Sequence, residues 1–423
     1  MAAPDALSNR QGSVLQALVA RLRRVGRALG LPLASLAFAF LIGGAVIGAT
    51  KGDPIRTYQD LVCGGFGLLC DGQALPGFQL NITVLNMTPL ILVGLAVAIA
   101  FRAGLFNIGA QGQYLMGILA CTVVALAFGS WPGYILLPLV LIAGALAGAA
   151  WAGIAGVLKA LTGAHEVVTT IMLNAIALLL IHYLVGNEGA FTGPLKIPGV
   201  DIPASRPISV GAQLPRLVPQ DGTILDLPGT VYTVHAGILI ALAMAVVYWF
   251  LIKRTSLGYE IGAVGQSQRA ARYAGISTRR TIVVTMLIAG AFAGLAGAMQ
   301  ISGLAHQLVG NNYDVDTTGF DGLAVALLGA GSAIGIVLSA LLFAGMNAAS
   351  SIMQSDAHVS SYLVAVLQGL ILLCIAANFL RALMLRLPSL GQRPAGSKEL
   401  PPESPTVLSE EDVLAPIDAG TTT

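Results

Sequence analysis

The sequence predicts an all-α, polytopic membrane protein of about ten transmembrane helices, some of them broken or half-length. Three observations carry this. Hydrophobic residues make up 56% of the 423 and charged residues only 10%, whereas a soluble domain of this size carries about a quarter charged residues. The apolar residues fall in runs of roughly 20, the length of one helical crossing. Most Lys and Arg fall between alternate runs, on one predicted side.

The crossings are predicted near 31–50, 82–101, 112–129, 133–158, 166–185, 234–252, 281–302, 319–330, 333–350 and 360–380. The basic flank and apolar run at the start resemble a signal peptide. The run is full length, however, and no small-x-small site precedes Lys51, so it is read as a retained helix. Segment 319–330 is too short to cross unaided and reads as a half-helix, with the break at Gly329-Ala-Gly-Ser332.

Seventeen of the 22 basic residues fall on one side, including Arg21, Arg23 and Arg24 before the first span, Lys253, Arg254, Arg279 and Arg280 after the sixth, and Arg381 and Arg386 after the last. Cytoplasmic loops retain positive charge, so both termini are expected in the cytoplasm. The resulting organisation is a basic cytoplasmic segment over 1–30, a transmembrane domain over 31–381 and a disordered cytoplasmic tail over 382–423. The domain carries external loops at 51–80 and 186–233 and a cytoplasmic loop at 253–280. Cys63 and Cys70 share the first external loop, where the compartment permits a disulfide. Cys121 and Cys374 lie in apolar runs and read as small hydrophobes. No basic run is interleaved with aromatics, which leaves nucleic-acid binding without support.

Polar residues at membrane depth are expensive unless they face protein or water, and so mark candidate sites. In Gly104-Leu-Phe-Asn-Ile-Gly-Ala-Gln-Gly-Gln-Tyr114, glycines permit an unwound backbone. Asn107, Gln111 and Gln113 there supply uncharged donors and acceptors for a neutral polar solute. The same amides could instead serve only the freed backbone groups. In Glu166-Val-Val-Thr-Thr-Ile-Met-Leu-Asn174, His165-Glu166 suggests a zinc protease, but a second histidine is needed at 169, which is threonine. Glu166 then reads as a cap or an interhelical partner, and Asn174, two turns deeper, as a pathway candidate. Asp321 either lines a polar cavity or caps a half-helix, the cap being favoured by the helix dipole.

In the cytoplasmic loop, Ser267 is an N-cap signal and Gly275 a stop signal for a two-turn helix. Ala270, Ala271 and Ala274 make a smooth face beside Arg269 and Arg272, suited to a groove on a partner protein. The alternative is a solvated positive loop. No nucleophile–base motif of an intramembrane enzyme is present. Glu166 and Asp321 near helix ends give little basis for an ion-coupled secondary transporter.

Taken together, Phe106-Asn-Ile-Gly-Ala-Gln-Gly-Gln113, Glu166 to Asn174, Gly258-Tyr-Glu-Ile-Gly-Ala-Val-Gly265, Ala270-Ala-Arg-Tyr-Ala-Gly-Ile276 and Gly319-Phe-Asp-Gly-Leu-Ala-Val-Ala-Leu-Leu-Gly329 resemble the membrane subunits of bacterial ABC importers for simple sugars, branched-chain amino acids and nucleosides. The longer permeases of nucleoside systems are the most similar in pattern. The resemblance implies a substrate pathway near Phe106, Asn107, Gln111, Gln113, Glu166, Asn174 and Asp321. It also implies an ATPase-coupling segment with Gly258, Gly265, Gln266, Arg269, Ala270, Ala271, Arg272, Tyr273 and Gly275.

The implied partners are a second permease subunit, commonly a different chain, a cytoplasmic ATPase, an extracytoplasmic substrate-binding lipoprotein and a small neutral solute. The chain would lie in the bacterial inner membrane. No Gly-x-x-x-x-Gly-Lys-Ser/Thr loop occurs, so this chain is expected to bind no cofactor itself, with ATP and Mg handled by the partner ATPase. Where the family commonly has glutamate, arginine and Asn-Pro, this sequence has Gln111, Gly262 and Ser267-Gln268.

Overall fold

A computed structural model describes residues 34, 36–49, 53–70, 76–188, 191–217, 234–356, 360 and 362–376. The basic N-terminal segment and the C-terminal tail therefore lie outside the described residues. So do 218–233 of the second external loop. The described chain is helical, with one two-residue antiparallel pair, β1 (Asn187–Glu188) and β2 (Phe191–Thr192).

Seven helices are long and apolar enough to cross a membrane. They are α3 (Pro76–Arg102), α4 (Ala110–Ala127), α5 (Gly133–Thr162), α6 (Glu166–Val185), α7 (Gly237–Arg254), α10 (Thr278–Gln300, continuing as a π-turn over Ile301–Ala305) and α12 (Ala333–Asp356). The other three apolar segments are also helical but shorter: α1 (Leu36–Ala49), α11 (Thr318–Leu328) and α13 (Tyr362–Ala376). The protein is a multi-pass membrane protein.

Two expectations need correction. The loop drawn over 51–80 contains α2 (Pro54–Phe66), and α3 already starts at Pro76. The cause is legible: Asp53 accepts backbone N–H groups of Ile55 and Arg56 at 2.9 and 3.3 Å, and Pro54 fills the first helical position. Gly64 and Gly65 then press on the α12 backbone at Ala349 and Gly345. At the far end, Cys63 and Cys70 are joined by a disulfide. The loop expected over 253–280 likewise holds a second helix, α8 (Ser256–Gln266), before the expected α9 (Gln268–Tyr273). Thr255 caps α8 by accepting from Gly258 N at 3.1 Å.

The centre is built by α10, which packs on α3, α4 and α5. Glycines set the spacing. A methyl group on Gly148 or Gly294 would fall inside the backbone of the facing helix, and one on Gly117 would strike Gly294. Between helices in lipid no hydrophobic force drives association, so dispersion contact at the closest backbone approach takes its place.

Outside this bundle, 187–217 is stitched to the end of α10. Ser205 N donates to Leu308 O at 2.8 Å, Ile208 N to His306 O at 2.9 Å and Leu214 N to Ser302 O at 2.8 Å. Beneath the stitches His235, 3% exposed, packs on Gly303 of the π-turn. Burial, and then the neighbouring His306, lowers the His235 pKa from 6.5 to about 4. The His306 pKa is lowered as well, by burial against a favourable backbone hydrogen bond and then by the charge of Arg216.

Two tests follow from the packing. Gly148→Val should abolish the monodisperse detergent-solubilised species seen by size exclusion. Gly262→Ala, on α8 with nothing near its Cβ, should be neutral or stabilising by about 1 kcal/mol. Because His235 is neutral in the fold and protonates more readily when unfolded, its contribution is complete above pH 6.5 and is lost as the pH falls toward 4. Thermal unfolding midpoints should therefore drop across that window, and His235→Gln should flatten the slope.

Candidate functional site

The chain leaves α3 at Arg102 and turns back into the protein over 103–109 before α4 begins. Gly104 adopts φ 71°, a left-handed conformation that a glycine tolerates at little cost. Asn174, which bonds this turn, lies eight residues into α6, about 12 Å along its axis. The turn and the start of α4 thus sit at membrane depth, where backbone groups need partners within the protein.

Asn107, Gln111, Gln113 and Asn174 supply those partners, and the structure brings all four together. Asn107 and Gln113 pair through both amides, at 3.2 and 3.0 Å, and Asn107 Oδ1 also accepts Gly109 N at 3.1 Å. Asn174 Oδ1 accepts from Gly112 N at 2.8 Å, while its Nδ2 donates to Ile108 O at 3.0 Å. Gln111 spans to α11: its Oε1 accepts from Gly319 N at 2.6 Å and its Nε2 donates to Asp316 O at 2.7 Å. In this arrangement the amides satisfy an unwound backbone and hold the starts of α4 and α11 side by side. Phe106 alone of the turn's predicted residues is substantially exposed, stacked on Phe101 with ring centres 5.2 Å apart.

Glu166 sits apart from this cluster. It begins α6 and pairs with Lys159 in the last turn of α5 at 2.7 Å, the interhelical role left open for it. Asp321 stands in the first turn of α11, at the helix start where the dipole argument put it, and Asp316 ahead of the helix adds a capping contact, its Oδ1 accepting Thr318 N at 2.9 Å. Asp316 Oδ2 also accepts from the Tyr114 hydroxyl at 3.1 Å. The Asp-Thr-Thr-Gly sequence before an apolar run was the signal for this, since aspartate two residues ahead of a free N–H is a cap pattern. In that first turn Asp321 Oδ2 accepts from the Thr317 hydroxyl at 3.2 Å.

The α8–α9 segment is joined to the same turn. Gly265, at the end of α8, lies so close to the backbone of Arg102 and Ala103 that no Cβ would fit. Ser267 then caps α9 by accepting Ala270 N at 3.3 Å, and Gly275 ends it at φ 79°. The expected three-alanine face is not displayed as such. Ala271 is buried, its carbonyl accepting from Ile276 N, because α9 leans on the bundle through that side. Gln266, Arg269, Ala270, Arg272, Ala274 and Gly275 are exposed, and Tyr273 is 95% exposed. Gly258 is buried against the end of α7.

A chain whose described residues hold seven membrane-length helices and an exposed two-helix segment over 256–273 is matched over residues 80–376 by the family model described as the permease component of the branched-chain amino acid transport system. The chain belongs to this permease family. Among curated relatives, a guanosine ABC transporter permease, NupP of Bacillus subtilis, is 40% identical over 318 residues, covering 75% of this chain and 86% of that one. A nucleoside ABC transporter permease, NupB of Lactococcus lactis, is 35% identical, covering 84% and 92%. A glucose ABC transporter permease, TsgB13 of Haloferax volcanii, is also 35% identical, covering 82% and 86%. No solved structure matches the chain.

Replacing Gln111 with leucine leaves Asp316 O and Gly319 N without this partner. Gln111→Leu should lower stability by about 2–3 kcal/mol, read from thermal unfolding of the purified protein. Phe106→Ala, at an exposed ring, should cost well under half of that.

Proposed function

We propose that this chain is the transmembrane permease subunit of an ATP-driven importer that carries nucleosides across the bacterial cytoplasmic membrane. The observation that carries the reading is the similarity to guanosine and nucleoside permeases over three quarters or more of the chain. The site chemistry agrees with it. The amides at the broken helices bring no charge to membrane depth, and a nucleoside is itself uncharged.

In this reading a substrate-binding lipoprotein delivers the solute from outside, and this chain with a second, different permease subunit encloses the pathway. A cytoplasmic ATPase, which binds ATP and Mg, supplies the stroke. The contact for the ATPase is α8–α9, whose exposed Arg269, Ala270, Arg272, Tyr273 and Ala274 offer a small-residue surface flanked by positive charge and one aromatic anchor. Gly265 connects that surface to the turn at 103–109.

A sugar importer is the second reading, favoured by the 35% identity to a glucose permease. Uptake of radiolabelled guanosine, adenosine, uridine and ribose in cells with and without the gene separates the two. Loss of nucleoside uptake alone is expected. Loss of ribose uptake with nucleosides untouched would retain an ABC permease and move its substrate to a simple sugar. Tyr273→Ala should reduce nucleoside uptake at least tenfold and weaken co-purification of the ATPase, while the protein still reaches the membrane.

A further inference from the structure

Asp321 stands out among the charged residues. It lies eight residues before Gly329, in the turn held by Arg102 Nη2 and the Tyr248 hydroxyl through Gly331 O at 3.2 and 2.6 Å. That places it about 12 Å from the end of a crossing of about 30 Å, near mid-membrane. The ion pairs among the described residues are Lys159–Glu166 and His182–Asp314, so Asp321 has no cationic partner among them. A carboxylate held at that depth without a countercharge needs hydrogen-bond donors or water, and it marks a functional position more often than a structural one.

The residues around it form a relay across three helices. Asn347 of α12 faces Asp321, and its Oδ1 accepts from Gln368 Nε2 of α13 at 2.8 Å. Gln368 is buried, so the far end of the relay is fixed inside the bundle. The near end is not enclosed: Asp321 is only partly buried and its neighbour Phe320 is 43% exposed. A carboxylate has about four acceptor positions, and the Thr317 hydroxyl takes one of them. Its other acceptor positions are left for a ligand that donates.

We propose that Asp321, oriented by the Asn347–Gln368 relay, is a solute-binding subsite that accepts both hydroxyls of a vicinal diol on the transported solute. A cis-diol presents two O–H donors at the spacing of the two carboxylate oxygens, and hydrogen bonds to a charged acceptor are stronger than neutral ones. On the nucleoside reading above, on which the choice of solute rests, the diol is that of the ribose ring. Asp321 is then a specificity-determining residue for ribonucleosides over deoxyribonucleosides, with Asn347 and Gln368 as positioning residues.

The test uses the complete importer in proteoliposomes. It compares uptake of guanosine with 2′-deoxyguanosine, and of ribose with 2-deoxyribose, for the wild type, Asp321→Asn and Asn347→Ala, with co-purification of the ATPase as the assembly control. The wild type should favour the diol-bearing member of whichever pair it carries by about tenfold or more, the value of one charge-assisted hydrogen bond. Asp321→Asn should bring that ratio to within about twofold with the complex intact, and Asn347→Ala should reduce it part-way.

A ribose preference erased by Asp321→Asn overturns the nucleoside reading and supports the subsite. A nucleoside preference unchanged in Asp321→Asn overturns the subsite and leaves the nucleoside reading standing. Equal loss of the diol and deoxy solutes in Asp321→Asn also overturns the subsite, because the carboxylate then serves something other than the diol. Uptake of neither pair by the wild type overturns both.

Discussion

The closest approach of three helices governs this molecule. Where α4, α5 and α10 meet, backbone touches backbone across Gly117, Gly144, Gly148, Gly290 and Gly294, and any side chain there would have to displace a carbonyl or a Cα of its neighbour. Lipid tails are as apolar as leucine, so burying leucine drives nothing in this solvent. What remains is the sum of many small dispersion contacts, which is largest when two helices can approach without intervening side chains. The rest depends on this packing: α4 carries Gln111 and Gln113, α10 carries the π-turn beneath the stitched segment that ends at 217, and both positions follow from where α5 holds them.

The seven long helices were legible in the sequence because an uninterrupted apolar run of about 20 residues matches the thickness of a bilayer and is longer than a soluble core usually buries. The break at 329–332 was legible as well, since Gly-Ala-Gly-Ser between two apolar runs offers no continuous helix; Ala330 and Gly331 both adopt positive φ there. The helix at Pro54–Phe66 was overlooked although its cap was written in Asp53-Pro54, because a mixed segment between two spans is more easily read as a loop. Most of its packing is against α12, some 280 residues away, and that pairing leaves no local trace.

That four of the polar residues gather in one cluster is a finding of the structure, and their arrangement was beyond the reach of sequence. Sequence could place Asn107, Gln111, Gln113 and Asn174 at membrane depth. It could not say that two of them pair with each other, that a third clasps α11, or that the fourth satisfies the turn between α3 and α4. Amides are equally good at holding a solute and at holding a backbone, and only coordinates say which atoms are near. Asp316, Asn347 and Gln368 were missed for a related reason: each is ordinary in its own segment and gains meaning from a residue on another helix.

One contact has a mechanical consequence. At Gly265 the last turn of α8 rests on the main chain of Arg102 and Ala103 with no side chain between them. Side chains act as cushions, since a rotamer change absorbs a few tenths of an ångström before the backbone feels a push. Here there is no such slack. A displacement of α8 reaches the turn carrying Asn107 undiminished, in the manner of a rigid pushrod, and any larger residue at position 265 would alter the stroke as well as the fit.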